Sequence, residues 1–429
     1  MTAIDDGGTT GLVELGHIAS QQRGALEHAD AAHAGRAVPT RGLKPLASVS
    51  RAGWNNLAGR AIEPNGYHLA DWELAVDAFA TGRTGASALA SWNTSPSISA
   101  PALNGLVPVI SFWRAYRIPL PVLVSADPYG TLGTPLLDRD ASLDASGSLL
   151  KQAREAGARA LLLRDVALDG KSLAALTTAL ARDDLRPHLI NASARACLDA
   201  TQDADMLLQR ALGSKKLKEL RRQRRRLADH GPVAFAVAHT PDEVSRALEI
   251  FLTLEASGWK GQRGTALLQR AGDSRFIRVA APMLAKTGAC EIVSLHAGAT
   301  PIAAAIVVRH QDRAFYFKIG IDEAFAKFSP GVQLTLDLTR HLCADPFIAT
   351  ADSTADAGHT MIEPIWRGRL RIGDVLLPLY RRDPTVTIAH AALAARTRLR
   401  DAARRLRPDR NRRTPATYSA ASALTSADT

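Results

Sequence analysis

The stretch Ala314-Phe315-Tyr316-Phe317-Lys318-Ile319, followed by Lys327-Phe328-Ser329-Pro330-Gly331-Val332-Gln333-Leu334, decides how the second half of this chain folds. The first segment is apolar and aromatic, with the composition of a strand. The second reads as the opening of a helix: Ser329 at the N-cap and Pro330 at the first helical position, where a missing N–H costs nothing. The amides of Gly331, Val332 and Gln333 then stand at the positive end of the helix dipole, and Gly331 has no side chain to block a close approach. Strand, turn and helix in this order offer a seat for a phosphate or pyrophosphate. The plain alternative is a well-capped helix with no ligand.

Upstream, Glu291–His296 and Ile302–Arg309 read as strands separated from each other and from Ala314–Ile319 by short turns, an antiparallel meander. Before them, Thr240-Pro241-Asp242-Glu243 is a capping box opening an amphipathic helix on Val244, Leu248, Phe251, Leu252 and Leu254. Downstream come a helix from Pro330 to Cys343, a strand Ile348–Asp352 and strand candidates around Leu370–Leu379. The first half carries helices near Trp54–Phe79, Ser146–Ala156 and Ser172–Ala181. Its strands are expected at Ala88–Trp92, Leu106–Trp113, Pro121–Ser125, Ala160–Leu163 and His188–Asn191. Regular βαβα alternation is missing, so the class is α+β. Thr134-Pro135 leads to a helix and a strand ending at Asp165, as Ser329-Pro330 leads to a helix and a strand ending at Asp352. This weak echo suggests a duplication.

The chain has 429 residues, 46% hydrophobic and 22% charged, enough for two or three domains with ample cores. The expected division is a disordered segment over 1–40, a first domain over 41–210 and a second over 211–385. A basic helix over 386–407 and a disordered tail over 408–429 follow. The longest apolar run, Pro301 to Val308, is far short of the ~20 residues of a membrane span. An acidic opening, Met1-Thr2-Ala3-Ile4-Asp5-Asp6, is unlike a secretory leader. Three scattered cysteines form neither a disulfide framework nor a zinc motif, and the expected compartment is the cytoplasm. The net charge is +11, but Lys215–Arg226 and Arg396–Arg413 each carry +7, which leaves the remainder mildly acidic. Charge is therefore local: each segment reads first as a solvated helix face and second as a contact for an anionic membrane surface, RNA or a cofactor phosphate, and the first has no interleaved aromatics for base stacking. No P-loop, GxGxxG after a strand, HExxH or GxSxG occurs, which argues against nucleotide hydrolysis, Rossmann redox chemistry, metalloprotease and lipase activity.

Other candidate site residues are Asp352, at a strand's carboxyl end, and His359, as proton acceptors. Gly258-Trp259-Lys260-Gly261 reads as a shaped loop, with Trp259 and Lys260 as substrate contacts. Lys318, sharing a strand face with Tyr316, is a further substrate contact.

Lys216 to about Leu379 resembles the GNAT-type acetyltransferase domain of cellulose-biosynthesis-associated proteins, a branch near the FemAB aminoacyl transferases. The resemblance rests on Leu254-Glu255-Ala256-Ser257-Gly258-Trp259-Lys260-Gly261, Gly264-Thr265-Ala266, Ile302-Ala303-Ala304, Phe317-Lys318-Ile319, Ser329-to-Leu334, Ala351-Asp352-Ser353 and Ile365-Trp366. Asp127-to-Leu136 resembles the divergent N-terminal half of the same proteins. The resemblance implies tandem GNAT-like domains, each a mixed central sheet flanked by helices, with a splayed cleft for the pantetheine arm of acetyl-CoA or another acyl-CoA, and no metal. It implies acyl transfer to an amine or hydroxyl on a small molecule or glycan, such as an envelope polysaccharide or its precursor. Ser329, Gly331, Val332 and Gln333 would bind the donor, although the family's Arg/Gln- and glycine-rich pyrophosphate loop is reduced here to Gly331 alone. The alternatives are a FemAB-like aminoacyl-tRNA-dependent transferase, whose tRNA the basic helices would touch, and a non-catalytic protein that binds anionic surfaces.

Overall fold

The computed structural model describes residues 42–93 and 101–406, and the expected disordered segments at 1–40 and 408–429 lie outside them. Thirteen described strands form one mixed sheet. In chain order the first half has β1 (Lys44–Pro45), α1 (Arg51–Gly59), α2 (Ala70–Phe79), β2 (Ser87–Asn93), β3 (Ala102–Ser111), α3 (Phe112–Tyr116), β4 (Val122–Ser125) and β5 (Leu136–Leu137). It continues through α4 (Ser142–Glu155), β6 (Ala160–Ala167), α5 (Lys171–Ala181) and β7 (His188–Asp199). α6 (Ala204–Leu227) joins the halves and is broken at Gly213 (φ 71°, ψ 164°). The second half has β8 (Val233–Ala238), α7 (Pro241–Ser257), α8 (Trp259–Gln262), α9 (Ala271–Ala285), β9 (Cys290–Ala297), β10 (Thr300–His310) and β11 (Arg313–Ile321). It ends with α10 (Pro330–Ala344), β12 (Thr350–Asp352) and β13 (Gly368–Pro378). α11 (Thr385–Leu406) belongs largely to a separate unit that begins at Thr387.

The strand order is β1-β2-β3-β4-β6-β13-β7-β12-β11-β10-β9-β8, with β5 beside β3. It reads the same from both ends. In the first half β2, β3 and β4 are antiparallel, and β4 then pairs in parallel with β6 across α4. In the second, β9, β10 and β11 are antiparallel, and β11 pairs in parallel with β12 across α10. The echo between Asp165 and Asp352 is therefore topological. The halves also exchange their last strands: β7 lies against β12, β13 lies against β6, and β7 and β13 pair with each other.

Local chemistry explains most element ends. At α7 the Thr240 hydroxyl accepts from the Glu243 amide, and the Glu243 carboxylate accepts from the Thr240 amide. β10 is an apolar run because helices cover both faces: Ile302, Ala303, Ala305 and Val307 belong to one core, and Ala304, Ile306 and Val308 to another. Each large side chain buried there contributes about 1.5–3 kcal/mol. Two expectations need correction. β7 continues to Asp199 rather than ending at Asn191, because β13 pairs along most of its length. Phe112 and Trp113, expected at the end of a strand, open α3, where the Ser111 hydroxyl accepts from the Arg114 amide.

One buried ion pair crosses the exchange. Arg195 of β7 and Asp352 of β12 are 1% and 0% exposed, and the guanidinium donates from both Nε and Nη2 to the carboxylate, the former at 2.7 Å. Arg195 Nη1 also donates to the carbonyl and hydroxyl of Thr131. Removing one partner strands the other charge in the core. Asp352→Ala is expected to lower the unfolding free energy in urea by about 3–5 kcal/mol, and the paired change Arg195→Met with Asp352→Leu to recover much of that loss. Equal losses in the single and paired variants would contradict this reading.

Candidate functional site

β11 and β12 run together only from Arg313 and Thr350 to Phe315 and Asp352, and then part. A cleft of about 550 Å³ opens there. One wall is Tyr316 to Ile319, the opposite one Ser353 to Asp356 with His359 and Met361. The segment Ala126–Thr131 and the Arg164–Asp165 pair from the first half complete it.

A bulge shapes the β11 wall. Tyr316 faces Val307 and Lys318 faces Ile306, so Phe317 is the extra residue. Bulges re-aim side chains next to functional clefts. Here the bulge overturns the expectation that Tyr316 and Lys318 share a face. The Tyr316 hydroxyl lies 3.3 Å from Thr335 of α10, whereas Lys318 donates to buried Glu255 of α7 at 3.3 Å. Phe317 packs edge-on to Trp72, with centroids 4.8 Å apart. Thr354, in a left-handed conformation, donates its hydroxyl to the Tyr316 carbonyl at 2.7 Å and bridges the mouth of the splay.

α10 begins beside this cleft. A Cβ on Gly331 would lie 3.0 Å from Met361 Sδ and 3.5 Å from Ile319, both cleft residues. A larger residue at 331 would crowd that rim. Ser329 stands at the N-cap position, but in a left-handed conformation (φ 54°, ψ 53°) and without a side-chain cap bond. The expected hydroxyl cap is thus corrected: Pro330 and backbone geometry start the helix. Gln333 is corrected too. Its amide donates to the Ser329 carbonyl at 3.0 Å, and its buried side chain donates to the Leu220 carbonyl at 2.9 Å, tying α10 to α6. The amides of Gly331 and Val332 precede the first helical bond, so they are the donors left for a ligand.

Asp352 lies under the cleft, fully buried and engaged by Arg195, so its geometry suits an anchor better than a proton acceptor. His359 is exposed at the rim, where its Nδ1 accepts from the Met361 amide at 3.3 Å. Gly258-Trp259-Lys260-Gly261 is not a loop: α8 forms there, and the side chains of Trp259 and Lys260 lie outside the described residues.

Two groups were not singled out as site residues from sequence. Asp165, in a left-handed conformation on β6, lines the cleft, and its amide donates to Asp374. It is exposed as a residue, yet crowding around its carboxyl and the nearby Asp374 charge push its pKa up to about 6. The sequence echo that set it beside Asp352 was the available signal, although β6 runs two residues past it to Ala167. Tyr129 donates to buried Asp273 at 2.9 Å, and Arg83 lies 4.2 Å over its ring while pairing with Asp127. Just beyond it the backbone at Gly130 presses on the Tyr67 ring, where any Cβ would come within 2.3 Å. All three thiols are raised by burial, Cys197 and Cys343 to about 11, so none is poised as a thiolate nucleophile. Among the described residues, no cluster of His, Cys, Asp and Glu could hold a metal ion, and no helix is long and apolar enough to cross a membrane.

Residues 214–358 match the family described as acetyltransferase (GNAT) domain. No curated protein matches the chain. Among solved structures, FemX is similar at 11% identity, covering 78% of this chain and 97% of its own, with a TM-score of 0.49. The C-terminal DUF2156 domain of a candidate lysylphosphatidylglycerol synthetase from Agrobacterium fabrum is similar at 13%, covering 80% and 96%, with a TM-score of 0.48. L-PGS from Bacillus licheniformis is similar at 13%, covering 78% and 97%, with a TM-score of 0.43. The chain is α+β with a GNAT fold: residues 214–358 match the acetyltransferase (GNAT) domain, and the first half repeats the strand pattern of the second.

Proposed function

We propose that the chain transfers an acyl group from an acyl-CoA, acetyl-CoA being the simplest, to an amine or hydroxyl acceptor in the cleft where β11 leaves β12. The observation that carries this is the placement of the α10 N-terminus at the rim of that cleft, with Gly331 facing Met361. The residues present suit such a donor. The Gly331 and Val332 amides, which precede the first helical bond, suit a diphosphate, and the parted strands suit a linear arm. The thioester supplies the activated acyl group. The protein's part is to align the acceptor and remove its proton. Asp165 is the proton acceptor in this reading, since a carboxyl at about 6 is ionised at neutral pH yet more basic than an ordinary aspartate. His359, at the rim, is the second candidate. Beyond Phe315 the β11 backbone has no ladder partner on its β12 side, and an amide on that edge can polarise the thioester oxygen. A glycan of the cell envelope or its precursor remains the acceptor class we favour.

A second reading, an aminoacyl-tRNA-dependent transferase, is favoured by α6. Lys215, Lys218, Arg221, Arg222, Arg225 and Arg226 are exposed and have no ion pair among the described residues, while Leu217, Leu220 and Leu227 face the core. At 100° per residue the six cations occupy one face opposite the leucines. An anionic membrane surface would fit the same face.

Two measurements test the first reading. Acetyl-CoA at 100 times its dissociation constant should stabilise the wild type by about 2.7 kcal/mol in thermal unfolding, and Gly331→Glu should abolish the shift. No shift with any acyl-CoA, together with binding of aminoacyl-tRNA, would transfer support to the second reading. Once an acceptor is found, wild-type kcat/KM should rise with pH through about 6, as Asp165 loses its proton. Asp165→Asn should remove that limb and lower kcat by about 10²–10⁴-fold. A limb unchanged in Asp165→Asn but absent in His359→Gln would assign the proton to His359.

A further inference from the structure

A second cavity, of about 700 Å³, lies at the opposite end of β11 from the cleft. Arg313 opens β11 and lines this cavity, whereas Tyr316 to Ile319 line the cleft. At ~3.3 Å per residue the three steps from Arg313 to Tyr316 put about 10 Å of strand between the two linings.

Five cations line the cavity: Arg139, Lys171, Arg313, Arg369 and Arg371. Three of them are held in place. Arg371 pairs with Asp169 at 3.0 Å, Arg369 pairs with Glu363 at 3.0 Å, and Arg139 donates to the carbonyls of Arg60 and Gly59. Arg313 donates from Nε to the Thr350 hydroxyl at 3.2 Å, but its Nη1 is buried with no hydrogen-bond partner among the described residues. A buried unsatisfied donor costs about 1–3 kcal/mol, and turning the guanidinium so that Nη1 enters the cavity would let an acceptor oxygen there remove that cost. Three carboxylates line the cavity, and with Glu363, which holds Arg369 from outside it, four acids face five cations, a surplus of one. Asp169 is already paired, and buried Glu63 accepts from the Ser172 amide at 3.1 Å, capping α5, with burial raising its pKa. Asp312 is the third. Because Glu63 already fills the positive end of α5, the case for a ligand rests on the cation surplus and the orphaned Arg313 nitrogen.

We propose that this cavity binds a phosphate group, either as inorganic phosphate or as part of a small phosphate ester, with Arg313 as its central contact and Lys171 at its mouth. Guanidinium forks suit phosphate oxygens, and the volume admits more than the bare ion. The site is independent of the acyl-donor cleft.

The test is thermal unfolding of the full chain in inorganic phosphate, pyrophosphate or glycerol phosphate against chloride at matched ionic strength. The expected result is a saturable phosphate-specific rise in the midpoint that survives in Gly331→Glu. In Arg313→Gln the apparent Kd should rise about tenfold or more, the size of one charge-assisted hydrogen bond, and in Lys171→Gln by a smaller factor. A larger response to glycerol phosphate than to inorganic phosphate would identify an ester as the ligand. No rise beyond chloride, or an unchanged Kd in Lys171→Gln and Arg313→Gln alike, would overturn the proposal. Should Arg313→Gln fail to fold, exposed Lys171 decides alone: an unchanged Kd in Lys171→Gln overturns it.

Discussion

The buried pair of Arg195 and Asp352 is the contact on which the cleft depends. Asp352 ends the short parallel run of β12 beside β11, and Arg195 arrives on β7, the strand the first half contributes to the second. The same guanidinium reaches Thr131, in the segment that forms the cleft's first-half wall. One side chain thus joins the exchanged strand, the point where the sheet opens and the chain that covers the opening. Ion pairs this deeply buried repay their desolvation only when every donor and acceptor is met, and here the backbone and hydroxyl of Thr131 take the remaining nitrogen. The arrangement ties the cleft to a fold in which neither half is complete without the other's last strand.

Much of the second half was legible in the sequence because its signals are local. The capping box at Thr240, the meander from Glu291 to Ile319 and the start of α10 at Pro330 depend on neighbours within a few residues. The second part of β7 was not legible. Ala192-Ser193-Ala194-Arg195-Ala196 is small and polar, with little strand propensity, and it is extended because β13, far away in sequence, supplies its partner. The exchange of strands is likewise a long-range property that no local pattern encodes.

The site divides in the same way. Gly331 was marked by its place after Pro330, and its nearest neighbours include Met361 and Ile319 of the cleft wall. Asp352 looked like a free acid because its partner, Arg195, lies 157 residues earlier. Lys318 was read on the wrong face because a bulge at Phe317 breaks the period of two. Ser329 was read as a hydroxyl cap because its residue type favours that role, but its left-handed backbone turns the chain instead. Asp165 passed unremarked as a site residue because its desolvation comes from segments that meet only in the fold.

Hydrogen–deuterium exchange with and without acetyl-CoA tests the central claim most directly, since it reads the backbone amides without knowledge of the acceptor. The account predicts protection concentrated at Tyr316–Ile319 and at Gly331–Val332, the two edges that meet at the opening of the sheet. Saturating acetyl-CoA with no protection at either edge, or with protection confined to segments away from the cleft, would contradict it.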